Sequence, residues 1–231
     1  KRFKISFIGK IKYIDILYTM WFKDINSKRY CEYHASKKIG HPMIQIEDEE
    51  DLKAIDETTT GLILSSCIKA EITIPEWITH LKLMQGGLQM SKFPTNLQCL
   101  CVENYMDYDI PPLPPNLKEL RILKNCVDVD NLPNGLIKLV VGDIFRLPLN
   151  KLPETLEELH VNIYNYPYEL NHLPRNLKKL LMPYHYYIKL ENMPKTLEYV
   201  RCNEEYIYLD MLKQNVKVVE TINRFDERRG M

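Results

Sequence analysis

Between residues 75 and 202 apolar side chains recur with a period near twenty, a spacing that belongs to neither an isolated helix nor an isolated strand. A proline keys each unit, at Pro75, Pro94, Pro114, Pro133, Pro153, Pro174 and Pro194, in steps of 19, 20, 19, 20, 21 and 20 residues. An apolar residue precedes each one, and others follow it at three, six and eight positions, as Leu136, Leu139 and Val141 follow Pro133. Four residues before the last six prolines stand Met90, Ile110, Val129, Leu149, Leu170 and Leu190. Both halves of every unit therefore point apolar groups at one shared interior.

The positions six and eight after the proline lie two apart, which places them on one face and predicts one short strand per unit. Twenty residues are too few for a strand and a crossover helix, which together need about 30 or more. Pro111, Pro112, Pro148 and Pro167 also fall in the return segments and oppose helix there. The prediction is a mainly β solenoid of parallel strands with extended, helix-poor return segments, in which coils stack because none can cover its own leucines. Two outer units fit less cleanly, with Asp56 and Lys213 where the proline should be. About eight coils are counted over residues 51–222. Residues 1–50, outside the frame, are read as an N-terminal cap or the tail of an upstream domain, and 223–231 as a polar C-terminal tail.

The L-x-x-L-x-L strand pattern resembles that of leucine-rich repeats. The Leu-Pro opening and short period look most like the class in secreted bacterial effectors, and "IPEWITHLKL" (residues 74–83) is similar to the FNIP repeats of amoebae and giant viruses. The resemblance implies a leucine-rich-repeat solenoid with its strands on the concave face, and a viral or amoebal source. It also implies a role in binding proteins, including substrate selection behind an F-box, which would lie upstream of Lys1. The family places an asparagine after each strand. Only Asn125 fills that slot; the other units have Gly86, Tyr105, Ile144, Tyr164, His185 and Glu205. The turn backbone must be satisfied otherwise, for example by a second small ladder through the return segments.

The residues between the strand leucines face away from the core and differ from coil to coil. Five after each anchor the column reads Gly61, His80, Cys99, Glu119, Lys138, Glu158, Lys179, Tyr199, and seven after it Ile63, Lys82, Cys101, Arg121, Val140, His160, Leu181, Arg201. Strands about 4.8 Å apart would set Glu119, Lys138, Glu158 and Lys179 in an alternating charge ladder. As a solvated ladder it is worth about 0 to 1 kcal/mol per pair. As a footprint for a protein partner it would include Arg121, His160, Tyr199 and Arg201, since Arg and Tyr favour binding hot spots.

Composition narrows the chemistry. Lys plus Arg equals Asp plus Glu at 31 each, so no bulk field draws the chain to nucleic acid or a membrane surface. Six scattered cysteines show no paired spacing and fit a reducing compartment, and no apolar run reaches a membrane span; the expectation is a cytoplasmic protein, in the host cytoplasm if viral. Cys99, Cys101 and His80 lack a fourth zinc ligand, and Cys31, His34 and His41 make no better case, so neither metal nor cofactor is expected. The late tyrosines (Tyr164, Tyr166, Tyr168, Tyr184, Tyr186, Tyr187, Tyr206, Tyr208) are read chiefly as packing of the second ladder. No phosphate loop or nucleophile with a base is found, and the ubiquitin-ligase domain of the bacterial effectors has no counterpart in the roughly ten residues after the last coil. The reading is a non-enzymatic protein-interaction module, with a structural or virion packing component as the alternative.

Overall fold

The computed structural model describes residues 43–46, 51–64, 72–84, 90–103, 110–123, 127–142 and 144–223. The tail beyond 223, most of the segment before 51, and the positions Gly86, Tyr105 and Asn125 lie outside these residues.

Each coil starts at the anchor. The N–H three residues on donates to the anchor's own carbonyl, from Leu97 to Pro94 at 3.2 Å, Leu136 to Pro133 at 3.0 Å and Leu177 to Pro174 at 3.1 Å. The proline thus opens a β-turn that delivers a fully buried leucine into the core. Asp56 makes the same turn, with Thr59 N–H donating to its carbonyl at 3.0 Å. Its carboxylate accepts from Thr58 N–H at 2.9 Å, so a side-chain acceptor stands in for proline's fixed φ.

After the turn the chain runs as a strand: β1 (Met43–Ile46), β2 (Gly61–Leu64), β3 (His80–Leu83), β4 (Cys99–Val102), β5 (Glu119–Ile122), β6 (Lys138–Val141), β7 (Glu158–Val161), β8 (Lys179–Leu181), β9 (Tyr199–Asn203) and β10 (Val218–Ile222). They form one sheet in sequence order, with every neighbouring pair parallel. The register is one coil per row: Leu81, Leu100, Leu120, Leu139, Leu159, Leu180 and Val200 pair in succession and are all buried. At about 1.5 to 3 kcal/mol per fully buried leucine, this continuous seam is the main favourable term. Among the described residues the first strand of the sheet is β1, from Met43.

Among the described residues the return segments are extended apart from two short 3-10 turns, at Asp51–Ala54 and Val129–Asn131, and one helix, α1 (Leu209–Asn215). The helix forms in the unit that has Lys213 instead of proline. Without a ring to block the backbone, Leu209 and Leu212 fall three apart and Leu212 is buried in the core.

Two polar ladders tie coil to coil. The residue two after the anchor donates to the carbonyl one after the preceding anchor: Asn96 Nδ2 to Glu76 O at 3.0 Å, Asn116 Nδ2 to Thr95 O at 3.0 Å, Thr155 Oγ1 to Asn134 O at 2.7 Å and Asn176 Nδ2 to Glu154 O at 2.8 Å. A ladder of Asn and Thr side chains thus lies in the turns before β4, β5, β7 and β8 rather than after the strands. On the return side, the buried residues Phe145, Tyr166, Tyr186 and Tyr206 stack at one position of successive coils. Tyr166 Oη donates to Leu147 O at 2.9 Å and Tyr206 Oη to Ile188 O at 2.9 Å. Tyr186 Oη donates to Tyr168 O at 3.2 Å and accepts from Leu170 N–H at 2.9 Å. These hydroxyls satisfy backbone groups that a return path without a full sheet would leave bare. Burial raises all three, Tyr186 to about 12, so they remain protonated donors.

Candidate functional site

The strand register sets the variable side chains side by side on the sheet face turned away from the core. One column runs His80, Cys99, Glu119, Lys138, Glu158, Lys179, Tyr199, and the next Lys82, Cys101, Arg121, Val140, His160, Leu181, Arg201. All eight residues singled out in the sequence, Glu119, Arg121, Lys138, Glu158, His160, Lys179, Tyr199 and Arg201, therefore share this face in the order read from the repeat.

Their surroundings differ from the expected solvated ladder. Lys138 is 4 % exposed, His160 2 %, Arg121 and Arg201 9 %, and Lys82 7 %, while Glu119, Glu158, Lys179 and Tyr199 are only partly covered. Side chains standing in rows about 4.8 Å apart shield one another's flanks, and the apolar Val140 and Leu181 beside them are buried too. A surface pair worth a few tenths of a kcal/mol is thus the wrong reference for this face, where an unpaired charge is expensive.

Glu158 is a hub. Its Oε2 lies 3.5 Å from Lys138 Nζ and 3.4 Å from His160 Nε2. Burial would raise this carboxyl, but the His160 ring and the charges of Lys138 and Lys179 outweigh it and bring Glu158 down to about 2. Burial dominates at His160 and lowers it to about 4, so the ring is neutral at pH 7. Elsewhere Lys82 Nζ pairs with Glu103 at 2.9 Å, Lys179 Nζ sits 5.3 Å from the centroid of the Tyr199 ring, and Tyr199 Oη donates to Glu220.

Cys99 and Cys101 are free and buried. Desolvation pushes both thiols up, Cys101 to about 12, which makes them inert neutral fillers rather than nucleophiles or thiolate ligands. Among the described residues no group of three or more His, Cys, Asp or Glu is arranged to hold a metal ion. Cys31, His34 and His41 lie outside the described residues. No described helix is long and apolar enough to cross a membrane.

The tyrosines divide by role. Tyr166, Tyr186 and Tyr206 belong to the buried ladder, whereas Tyr164 and Tyr187 are 49 % and 60 % exposed and flank His185. Tyr164 Oη lies 2.7 Å from His185 Nε2 and Tyr187 Oη 3.2 Å from Nδ1. The signal for this division is the spacing of 20 that joins 166, 186 and 206; the sequence reading grouped all eight tyrosines together.

A ten-stranded all-parallel solenoid with one short strand per twenty-residue coil defines a leucine-rich-repeat-like fold. Among solved structures the chain is similar to CroV588, described as a novel circular leucine-rich-repeat protein, from a giant virus. The match has a TM-score of 0.57 at 23 % identity and covers 68 % of this chain and 26 % of that one, so the chain spans about a quarter of its neighbour's length. No protein-family model and no curated protein matches the chain.

Proposed function

We propose that the chain is a non-catalytic protein-interaction module that receives a protein partner on its concave strand surface, along Glu119, Arg121, Lys138, Glu158, His160, Lys179, Tyr199 and Arg201. The observation that carries this reading is the division of labour in each coil. The recurring residues are consumed by turn and core, and those that change from coil to coil stand together on one continuous face. The leucine-rich-repeat-like fold supports it, as such solenoids commonly bind proteins. Within this reading, substrate selection as an adaptor is the finer proposal.

Affinity capture tests it. A discrete partner should be lost with the double variant Lys179→Glu, Tyr199→Ala and retained by Lys151→Glu, a change at an exposed lysine that pairs with Asp130. Retention by both variants would rule out the strand face, and absence of any discrete partner would favour a packing component.

A further inference from the structure

Among the described residues of the strand face, Arg121 is a buried cation without an ion pair. It is 9 % exposed, its Nε is sealed from solvent without a hydrogen-bond partner, and it forms no ion pair with any described residue. Its row neighbours are Cys101 and Val140. The first is a neutral thiol and the second a hydrocarbon, so neither balances a guanidinium. From β2 to β9 its column holds three permanent cations, Lys82, Arg121 and Arg201, and no carboxylate. Of the nearby acids, Glu103 is engaged by Lys82 and Glu158 by Lys138 and His160, and Glu119, two residues earlier on β5, forms no ion pair with Arg121. The Nε donor is thus desolvated without compensation, and a guanidinium cannot escape by losing its proton.

We propose that Arg121 is the anchor of this surface and that its ligand is a carboxylate side chain on an acidic peptide segment of the partner. The proposal rests on the concave-surface reading above and names the chemistry that the surface selects. A single guanidinium fork matches the single charge and two oxygens of a carboxylate. A doubly charged phosphate would need a second uncommitted cation, and Lys82 and Lys138 are already held by glutamates. A nucleic acid backbone repeats its charge at every nucleotide and would need a run of uncommitted cations, whereas Lys82 and Lys138 are held by glutamates. Cys101 and Val140 supply dry walls on either side, which strengthen the charge-assisted bond.

Fluorescein-labelled hexaglutamate, hexaglutamine and hexaphosphoserine peptides provide the test, with binding to the full chain read by fluorescence polarisation at low and high salt. Hexaglutamate should bind the wild type in a salt-dependent manner and hexaglutamine at least about tenfold more weakly, as expected for losing one charge-assisted contact. Arg121→Met should abolish the preference for glutamate yet melt no lower than the wild type, since it removes a buried unpaired charge, and Arg121→Lys should retain part of it. Lys92→Gln, remote and exposed, should bind as the wild type does. Equal binding of hexaglutamate and hexaglutamine, no binding of hexaglutamate, an unaffected Arg121→Met, or preference for hexaphosphoserine would each overturn the proposal. A captured partner that ignores Arg121→Met but is lost with Lys179→Glu, Tyr199→Ala would overturn the carboxylate anchor and leave the concave-surface reading standing.

Discussion

The return side of the solenoid and its outward strand face bury polar groups to a similar degree and treat them in opposite ways. At Tyr166, Tyr186 and Tyr206 every buried hydroxyl meets a backbone group of the preceding coil at 2.9 to 3.2 Å. On the strand face, Arg121 is buried between a thiol and a valine with no ion pair among the described residues, and burial keeps His160 neutral beside the charges of Lys138 and Glu158. The first arrangement is complete and favours staying as it is. The second carries charge out of water, paired at Glu158 and Lys82 and left without an ion pair at Arg121. Equal burial therefore covers two different environments, one hydrogen-bonded to the backbone and one carrying charge.

The widest test removes the seam that both sides share. Leu139→Ala in central strand β6 should cost about 2 to 5 kcal/mol in chemical denaturation; a loss below about 0.5 kcal/mol would show that the leucine seam does not carry the fold. Acid should act next, and mainly through the strand face. The folded pKa of His160, about 4, lies below its ordinary 6.5, so the unfolded chain binds more protons between those values. Stability is then complete above pH 6.5 and declines toward pH 4, by on the order of 2 to 3 kcal/mol. Glu158, lowered from 4.5 to about 2, extends the decline below pH 4.5 in the same direction. Replacing His160 with Phe should flatten the upper part of the profile, and an unchanged slope between pH 6.5 and 4 would remove His160 as its source.

Tyr186→Phe takes one hydroxyl from the return ladder and strands Leu170 N–H and Tyr168 O, at about 1 to 3 kcal/mol, whereas Tyr187→Phe on the exposed rim should change melting negligibly. If the two variants melt alike, the division of the tyrosines into buried and exposed sets is wrong. Smallest of all, Asn116→Ala should cost about 0.5 to 1.5 kcal/mol by cutting a single turn-ladder bond to Thr95 O.

Most of the fold was legible because its determinants repeat. Prolines marked the turns, leucines the seam, and the arithmetic between them gave the register of Glu119 with Lys138 and Glu158 that the sheet displays. Asp56 was placed correctly in the anchor slot, although the carboxylate bond that makes it work is a side-chain detail no period reveals. The Asn and Thr ladder was not legible from the family's asparagine slot after the strand, because Asn96, Asn116, Thr155, Asn176 and Thr196 sit two residues past the anchor. Helix α1 was missed because a blurred proline slot was treated as a poor copy rather than as a released constraint. For the candidate site, order along the face was legible and environment was not. A column of letters tells which way Lys138 and His160 point; their loss of solvent depends on neighbours twenty residues away on either side.

The one-to-one register has an evolutionary corollary. Because each coil bonds only to the next and every coil occupies one row, duplicating or deleting a twenty-residue unit would lengthen or shorten the readable face by about 4.8 Å without shifting the frame of the rest. Point substitution changes a letter and coil duplication adds one, so the length and the content of this surface can be selected separately.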